Sequence, residues 1–218
     1  MSSKSRCAYC GSVAAPTQRE HVFPRCLYPG SKAGSRLQRL TVPACNNCNN
    51  GWADDEAHFR NILTLAGDPT TEERDELWSS TIRRSFGQSD GVRRMKELLQ
   101  QMKPTEAQGS QRYVVNPGDD PRVRRIIRKI IRGLSYHHGL NWPVPDDRVR
   151  ADVLRYDFPD DLLVQMHYQH RDADIVEYWY EAPKDETYDS AWLLRFYRRV
   201  RFVGLVYAAD SSGTNGPE

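Results

Sequence analysis

The sequence predicts an α+β protein, and three features predict it: two C-x-x-C pairs within the first 48 residues, one long amphipathic segment opening at Pro121, and a series of strand-like segments after it. The expected layout is a zinc-pinned unit over 1–66, a helical connector and linker over 67–120, an α+β region over 121–209 and a disordered tail over 210–218. With 218 residues the chain has room for one medium domain or two small ones. Hydrophobic residues at 39% suffice for a buried core, and charged residues at 28% leave the chain on the polar side of globular proteins.

Four of the five cysteines form the pairs Cys7-Ala-Tyr-Cys10 and Cys45-Asn-Asn-Cys48. A C-x-x-C turn lets two thiolates reach one ion, so two such turns complete a tetrahedral zinc site. A redox pair or disulfides are the alternative reading. Structural zinc contributes ~10–16 kcal/mol of apparent binding energy in small peptides, which suits a unit with little apolar periodicity of its own. Cys26 is left over and reads as a small buried residue.

From Asn49 to Ala66 the spacing of Trp52, Phe59, Ile62, Leu63 and Ala66 predicts a helix, with Asp54, Asp55 and Glu56 suiting its dipole and Gly67-Asp-Pro69 ending it. Residues 70–103 carry a second helical pattern broken near Gly87 and Gly91. The stretch 103–121, rich in Pro, Gly, Gln and Asp, reads as a linker. Asp120 as N-cap and Pro121 at the first helical position then open a helix to Leu134, with Val123, Ile126, Ile127, Ile130, Ile131 and Leu134 on one face. Strands are expected over Leu162–Tyr168, Asp174–Ala182, Ala191–Arg198 and Val200–Ala208, forming an antiparallel meander.

The net charge of +2 conceals uneven blocks: residues 1–66 and 122–142 are basic, and residues 143–218 are acidic. Separated basic blocks suit a polyanion, and a solvated basic face is the bland alternative. No run approaches the ~18 apolar residues of a membrane helix, and the first residues lack a secretory signal's apolar stretch. The expectation is a cytoplasmic protein with no membrane partner.

Between the cysteine pairs lies Arg19-Glu20-His21-Val22-Phe23-Pro24, and Asn49 and Asn50 directly follow the second pair. Over about residues 7–60 this order resembles the HNH (ββα-metal finger) endonucleases, in which an acidic residue precedes His, Pro follows shortly, and a later C-x-x-C is followed by Asn or His. The resemblance implies that His21 is the general base, that Glu20 and Asn49 hold a catalytic Mg²⁺ or Mn²⁺, and that Cys7, Cys10, Cys45 and Cys48 hold structural Zn²⁺. It implies duplex DNA as substrate and a setting in defence, restriction or a mobile element, and it is compatible with a homodimer. Arg19, Arg25, Lys32, Arg36 and Arg39 near the motif, with Arg124 and Arg128 on the basic helix, are the expected nucleic-acid contacts. The family often places Asn five residues before the third cysteine. Leu40 stands there, so orienting His21 falls to Gln38 or a backbone carbonyl.

Each residue has a plainer reading. Asn49 could cap the helix after the second cysteine pair, with Asn50 its competitor as ligand. His58 reads as a helix-surface histidine, with an additional metal ligand as the alternative. His137 and His138 suit the C-terminus of the basic helix better than a phosphate site. The helix itself reads as a packing element with secondary DNA contact. Two other functions compete with a DNA nuclease: a catalytically inactive zinc module that binds nucleic acid or a protein, and a ribonuclease on the same scaffold.

Overall fold

The computed structural model describes residues 6–13, 18–32, 39–66, 72–87, 90–107, 110–171, 175–183 and 187–209. Strand β1 (Gln18–His21) pairs antiparallel with β2 (Thr41–Ala44), placing Glu20 opposite Val42 and His21 opposite Thr41. A single helical turn, α1 (Asn46–Asn49), starts directly on Cys45, and α2 (Ala53–Leu65) follows. The helix expected from Asn49 is thus interrupted: Asn50 is extended, so the turn carrying Cys48 is separate from the helix that enters the core. Asp54, Asp55 and Glu56 do occupy the first turn of α2. The expected stop at Gly67-Asp-Pro69 lies outside the described residues, as does the 210–218 tail.

The second helical pattern is realised as α3 (Glu72–Glu76), a π-helical turn (Leu77–Ile82), α4 (Arg83–Ser85) and α5 (Gly91–Gln101). The stretch expected to be a linker contains a hairpin of β3 (Met102–Ala107) and β4 (Ser110–Val115). Turn-forming composition hid it. A proline is tolerated at the edge of a two-stranded ribbon, and Tyr113, Val114 and Val115 favour extended backbone.

Helix α6 (Pro121–His137) begins as the sequence predicts, with the Asp120 carboxylate accepting from the Arg122 amide at 2.8 Å, and runs three residues past Leu134. All six residues of its predicted apolar face are completely buried. Two glycines let it approach both neighbours. A Cβ on Gly133 would lie 3.0 Å from a Val22 methyl beside β1, and one on Gly204 would lie 2.0 Å from the Ile131 Cδ1. Helix α6 therefore packs between the N-terminal hairpin and the C-terminal sheet.

That sheet contains β5 (Val149–Leu154), β6 (His167–Arg171), β7 (Val176–Glu181), β8 (Tyr188–Phe196) and β9 (Val200–Tyr207), with α7 (Asp160–Leu163) between β5 and β6. Its order is β5-β9-β8-β7-β6 and every pairing is antiparallel, so β6 to β9 form the expected meander. Strand β5 was not expected, although Val149, Ala151 and Val153 alternate with Arg150 and Asp152. The strand expected over Leu162–Tyr168 is instead α7 and a turn until His167. Asp160 and Asp161 favour a helical first turn after Pro159.

Phe59 of α2 packs against Phe196 and Phe202, and Phe23 packs against Tyr178, so hairpin, helices and sheet share one core running from Cys7 to Val206. A smaller cluster of Phe158, Trp179 and Leu193 is sealed by Leu163 and Met166. No described helix is long and apolar enough to cross a membrane.

Candidate metal centre and the residues of the N-terminal hairpin

The thiols of Cys7, Cys10, Cys45 and Cys48 converge so that their sulfurs all lie within 4.8 Å of one another. Both knuckles are set by backbone bonds. The Gly11 amide returns to the Cys7 carbonyl at 2.9 Å, and the Asn49 amide to the Cys45 carbonyl at 2.9 Å. The Cys10 and Cys45 sulfurs are 3.8 Å apart, too far for a disulfide, where S–S is about 2.05 Å. That separation matches the edge of a tetrahedron with arms of about 2.3 Å, the zinc–thiolate distance, so the donor set fits Zn²⁺. A hydrogen bond to Ser12 lowers the Cys10 thiol to about 6, whereas burial raises Cys48. Cys26 stands apart, its thiol donating to the Glu56 carbonyl and pushed up to about 12 by burial, as an inert interior thiol should be.

Along β1, alternate side chains serve different ends. Gln18 accepts from the Asn49 amide at 3.0 Å and donates to Asn46 at 3.1 Å, tying β1 to α1. The Asn49 Oδ1 is buried and has no partner among the described residues. Asn49 is the last residue of α1 and does not cap α2, whose N-cap is Trp52. Asn50 is exposed.

Glu20 binds Lys129 of α6 through Oε1. The Lys129 ammonium also donates to Glu56 Oε1 at 2.5 Å and to the His21 carbonyl at 3.4 Å, which engages its three protons. Burial raises the proton affinity of Glu20, and the facing ammonium opposes it without overcoming it. His21 Nδ1 is buried and lacks a partner among the described residues. The Leu40 carbonyl accepts from the Val22 amide, no described carbonyl bonds the His21 Nδ1, and Gln38 lies outside the described residues. Burial pushes the His21 pKa down, and Arg25, Arg39, Lys129 and Arg19 push it further.

His58 belongs elsewhere. It is only 5% exposed, and its Nε2 meets Asp120 at 2.5 Å and Arg122 at 3.1 Å, which makes it part of the cap of α6.

The basic face of α6 is matched by protein acceptors. Arg124 lies 3.8 Å from Asp152, Arg125 is 2.7 Å from Asp55, and Arg128 is 3.0 Å from Asp146. Arg132 donates to the Val144 and Tyr9 carbonyls, each at 2.7 Å. Near His21, Arg19 and Arg25 are exposed, Arg19 donating to Thr41 at 3.1 Å, and Arg39 stacks over Tyr28 at 4.6 Å. Arg36 and the Lys32 side chain lie outside the described residues.

Sequence reasoning missed Lys129, Glu56 and Gln18. Lys129 carried a signal: it lies one helical turn from Ile126 and Gly133, within the buried face rather than opposite it.

No protein family, curated protein or solved structure matches this chain significantly.

Proposed function

We propose that this chain is an HNH-type, metal-dependent endonuclease that hydrolyses DNA phosphodiesters, with β1, β2 and the following helix as its ββα-metal unit. The observation that carries the reading is a pair of buried polar atoms with no partner among the described residues: Nδ1 of His21, the residue after Glu20 on β1, and Asn49 Oδ1, on the helical turn that Gln18 ties to β1. Buried polar atoms are normally paired, and an orphaned donor or acceptor at such a site points to an absent partner.

A neutral imidazole is the form a general base requires, and burial together with the surrounding arginines keeps His21 in that form. The imidazole takes a proton from the attacking water as that oxygen bonds to phosphorus and the bond to the 3′-oxygen breaks. Arg19, Arg25 and Arg39 attract the phosphate backbone. The Asn49 amide oxygen and the Glu20 carboxylate, whose Oε2 has no partner among the described residues, are oxygen donors of the kind Mg²⁺ or Mn²⁺ takes, and the ion would stabilise charge on the departing oxygen. Zn²⁺ in the four-thiol site would hold the hairpin against α1. A bacterial or phage defence role in the cytoplasm accords with this chemistry.

One observation favours a second reading. The Lys129 ammonium already supplies a positive charge at Glu20, as it would in a zinc module that binds nucleic acid without cutting it.

Relaxation of supercoiled plasmid by the purified chain in EDTA, Mg²⁺ or Mn²⁺ separates the two. Cleavage that requires the cation and falls by ~10²-fold or more in His21→Ala supports the nuclease. DNA binding with no cleavage of plasmid, single strand or RNA transfers the assignment to the binding module, and cleavage of RNA alone makes the enzyme a ribonuclease.

A further inference from the structure

An open polar cleft of about 600 Å³ lies between α2, the π-helical turn and the α4–α5 segment, and it shares no residue with the site proposed above. Arg60 of α2 lines it. This guanidinium is only 5% exposed, yet its Nε and Nη2 bond just one acceptor, the Asn61 Oδ1, at 3.0 and 2.7 Å. Of the five donors of a guanidinium, three have no protein acceptor among the described residues, and no described carboxylate pairs with it. A buried cation without a counter-charge is costly, and an arginine kept in that condition marks a place where an anion completes the site.

The other charged groups of the cleft agree. Arg84 is exposed and makes no ion pair with a described residue. Among the described residues Arg94 pairs with the Asp54 carboxylate alone, at 3.3 Å, and that carboxylate is 77% exposed to water. Burial lowers the Arg60 pKa, Cys26 and Tyr197 oppose the shift without overcoming it, and Arg94 adds to it. Glu76, the one acid among the described lining residues, is engaged by Ser31, whose amide and hydroxyl donate to its two oxygens at 2.9 and 2.5 Å. Ser80 and Thr81 reach the cleft from the π-helical turn, a rare backbone form found disproportionately at functional sites.

We infer that this cleft binds a phosphate group, with Arg60, Arg84 and Arg94 as its ligands. Three guanidinium forks suit a multiply charged oxyanion better than a single carboxylate, because each fork can place two parallel N–H bonds on phosphate oxygens. The volume falls within the ~300–1,000 Å³ of small-molecule pockets, so the phosphate can belong to a free nucleotide or to a strand crossing the cleft.

Calorimetric titration of the 218-residue chain with pyrophosphate, with a deoxynucleoside 5′-monophosphate and with a short single strand lacking terminal phosphates tests this inference. The expected result is saturable binding of at least one probe, at one site per chain, weakened about tenfold or more by Arg84→Gln and by Arg94→Gln, the loss of one charge-assisted bond. Arg60→Gln should weaken it further, and the two exposed-side variants carry the test if that buried change impairs folding. Preference for the nucleotide or for the strand assigns the source of the phosphate. Absence of saturable binding, affinity unchanged in both exposed-side variants, or acetate binding as tightly as pyrophosphate overturns the inference. Pyrophosphate binding does not involve His21, so the result stands apart from the outcome of the cleavage assay.

Discussion

Lys129 of α6 is completely buried, and its ammonium bonds the carboxylate of Glu20, the residue that precedes His21 on β1. Glu56 of α2 is the second acceptor, so one side chain joins three elements from both halves of the chain. Two carboxylates around one ammonium leave the cluster with a formal charge of −1, and the ring of Trp52 lies within 5.6 Å of the Lys129 ammonium and 4.7 Å of the Arg125 guanidinium. The contact fixes where Glu20 points, and it couples the docking of α6 to the geometry beside His21.

Replacing Lys129 with methionine keeps the bulk and removes the charge. Glu20 and Glu56 are then left facing one another with side chains 15% and 19% exposed. Breaking a buried pair from one side typically costs about 3–5 kcal/mol, because the remaining charge stays desolvated. Lys129→Met should therefore lower the unfolding free energy measured in urea by an amount in this range, and adding Glu20→Gln should recover part of it. A loss below about 1 kcal/mol would show that the carboxylates escape to water and that the cluster does not hold the halves together.

Convergence of four thiols predicts one zinc per chain. Cys45→Ser removes a buried ligand and should abolish metal retention, while Cys26→Ser, whose thiol bonds only a backbone carbonyl, should leave it intact. Elemental analysis after gel filtration reads the stoichiometry directly, and chelation should lower the thermal midpoint of the native chain. Full zinc content in Cys45→Ser would exclude the four-thiol site.

What was legible in the sequence followed from local spacing. The cysteine pairs, the Asp120 cap and the isoleucine face of α6 all depend on residues a few positions apart, and all stand where their spacing puts them. Long-range relationships were not legible in this way. Glu20 and Lys129 are 109 residues apart, and nothing in either neighbourhood states that they meet. His58 read as a surface residue because its buried partner, Asp120, lies 62 positions away. The hairpin of β3 and β4 was hidden for a different reason, since turn-rich composition masks short strands that pair only with each other.

The approach of α6 to the sheet leaves no room for one methyl group at Gly204. In Gly204→Ala the new methyl would meet the Ile131 Cδ1 at 2.0 Å and the Arg150 carbonyl at 3.6 Å. Alanine gains roughly 0.5–1 kcal/mol over glycine in an extended segment, but overpacking costs about 1–3 kcal/mol, so the substitution should destabilise. Ile131→Val removes the obstructing methyl at about 0.5–1.5 kcal/mol by itself. The double variant should then lose less than the sum of the two single losses. Strict additivity in urea unfolding would mean that the sheet and helix shift apart instead of repacking at this point.

The cap of α6 makes stability depend on pH in a defined direction. Burial disfavours ionised Asp120, but hydrogen bonds from His58, Gln101 and the Arg122 amide outweigh it and hold the carboxyl well below the usual carboxylate range. The unfolded chain takes up the proton near pH ~3.9 and the folded chain only at lower pH. The contribution of Asp120 is therefore complete above about pH 4 and is lost as the pH falls below it. Asp120→Asn keeps a capping side chain and removes the charge, so at pH 7 it should cost about 1.5–3 kcal/mol, the worth of hydrogen bonds to a charged group. Urea midpoints of both proteins at pH 7, 5, 4 and 3 should show this gap narrowing only at the acid end. Any release of metal from the four-cysteine site would affect both proteins alike, so the difference between them reports Asp120; a gap that stays constant to pH 3 would mean that its charge does not stabilise the cap.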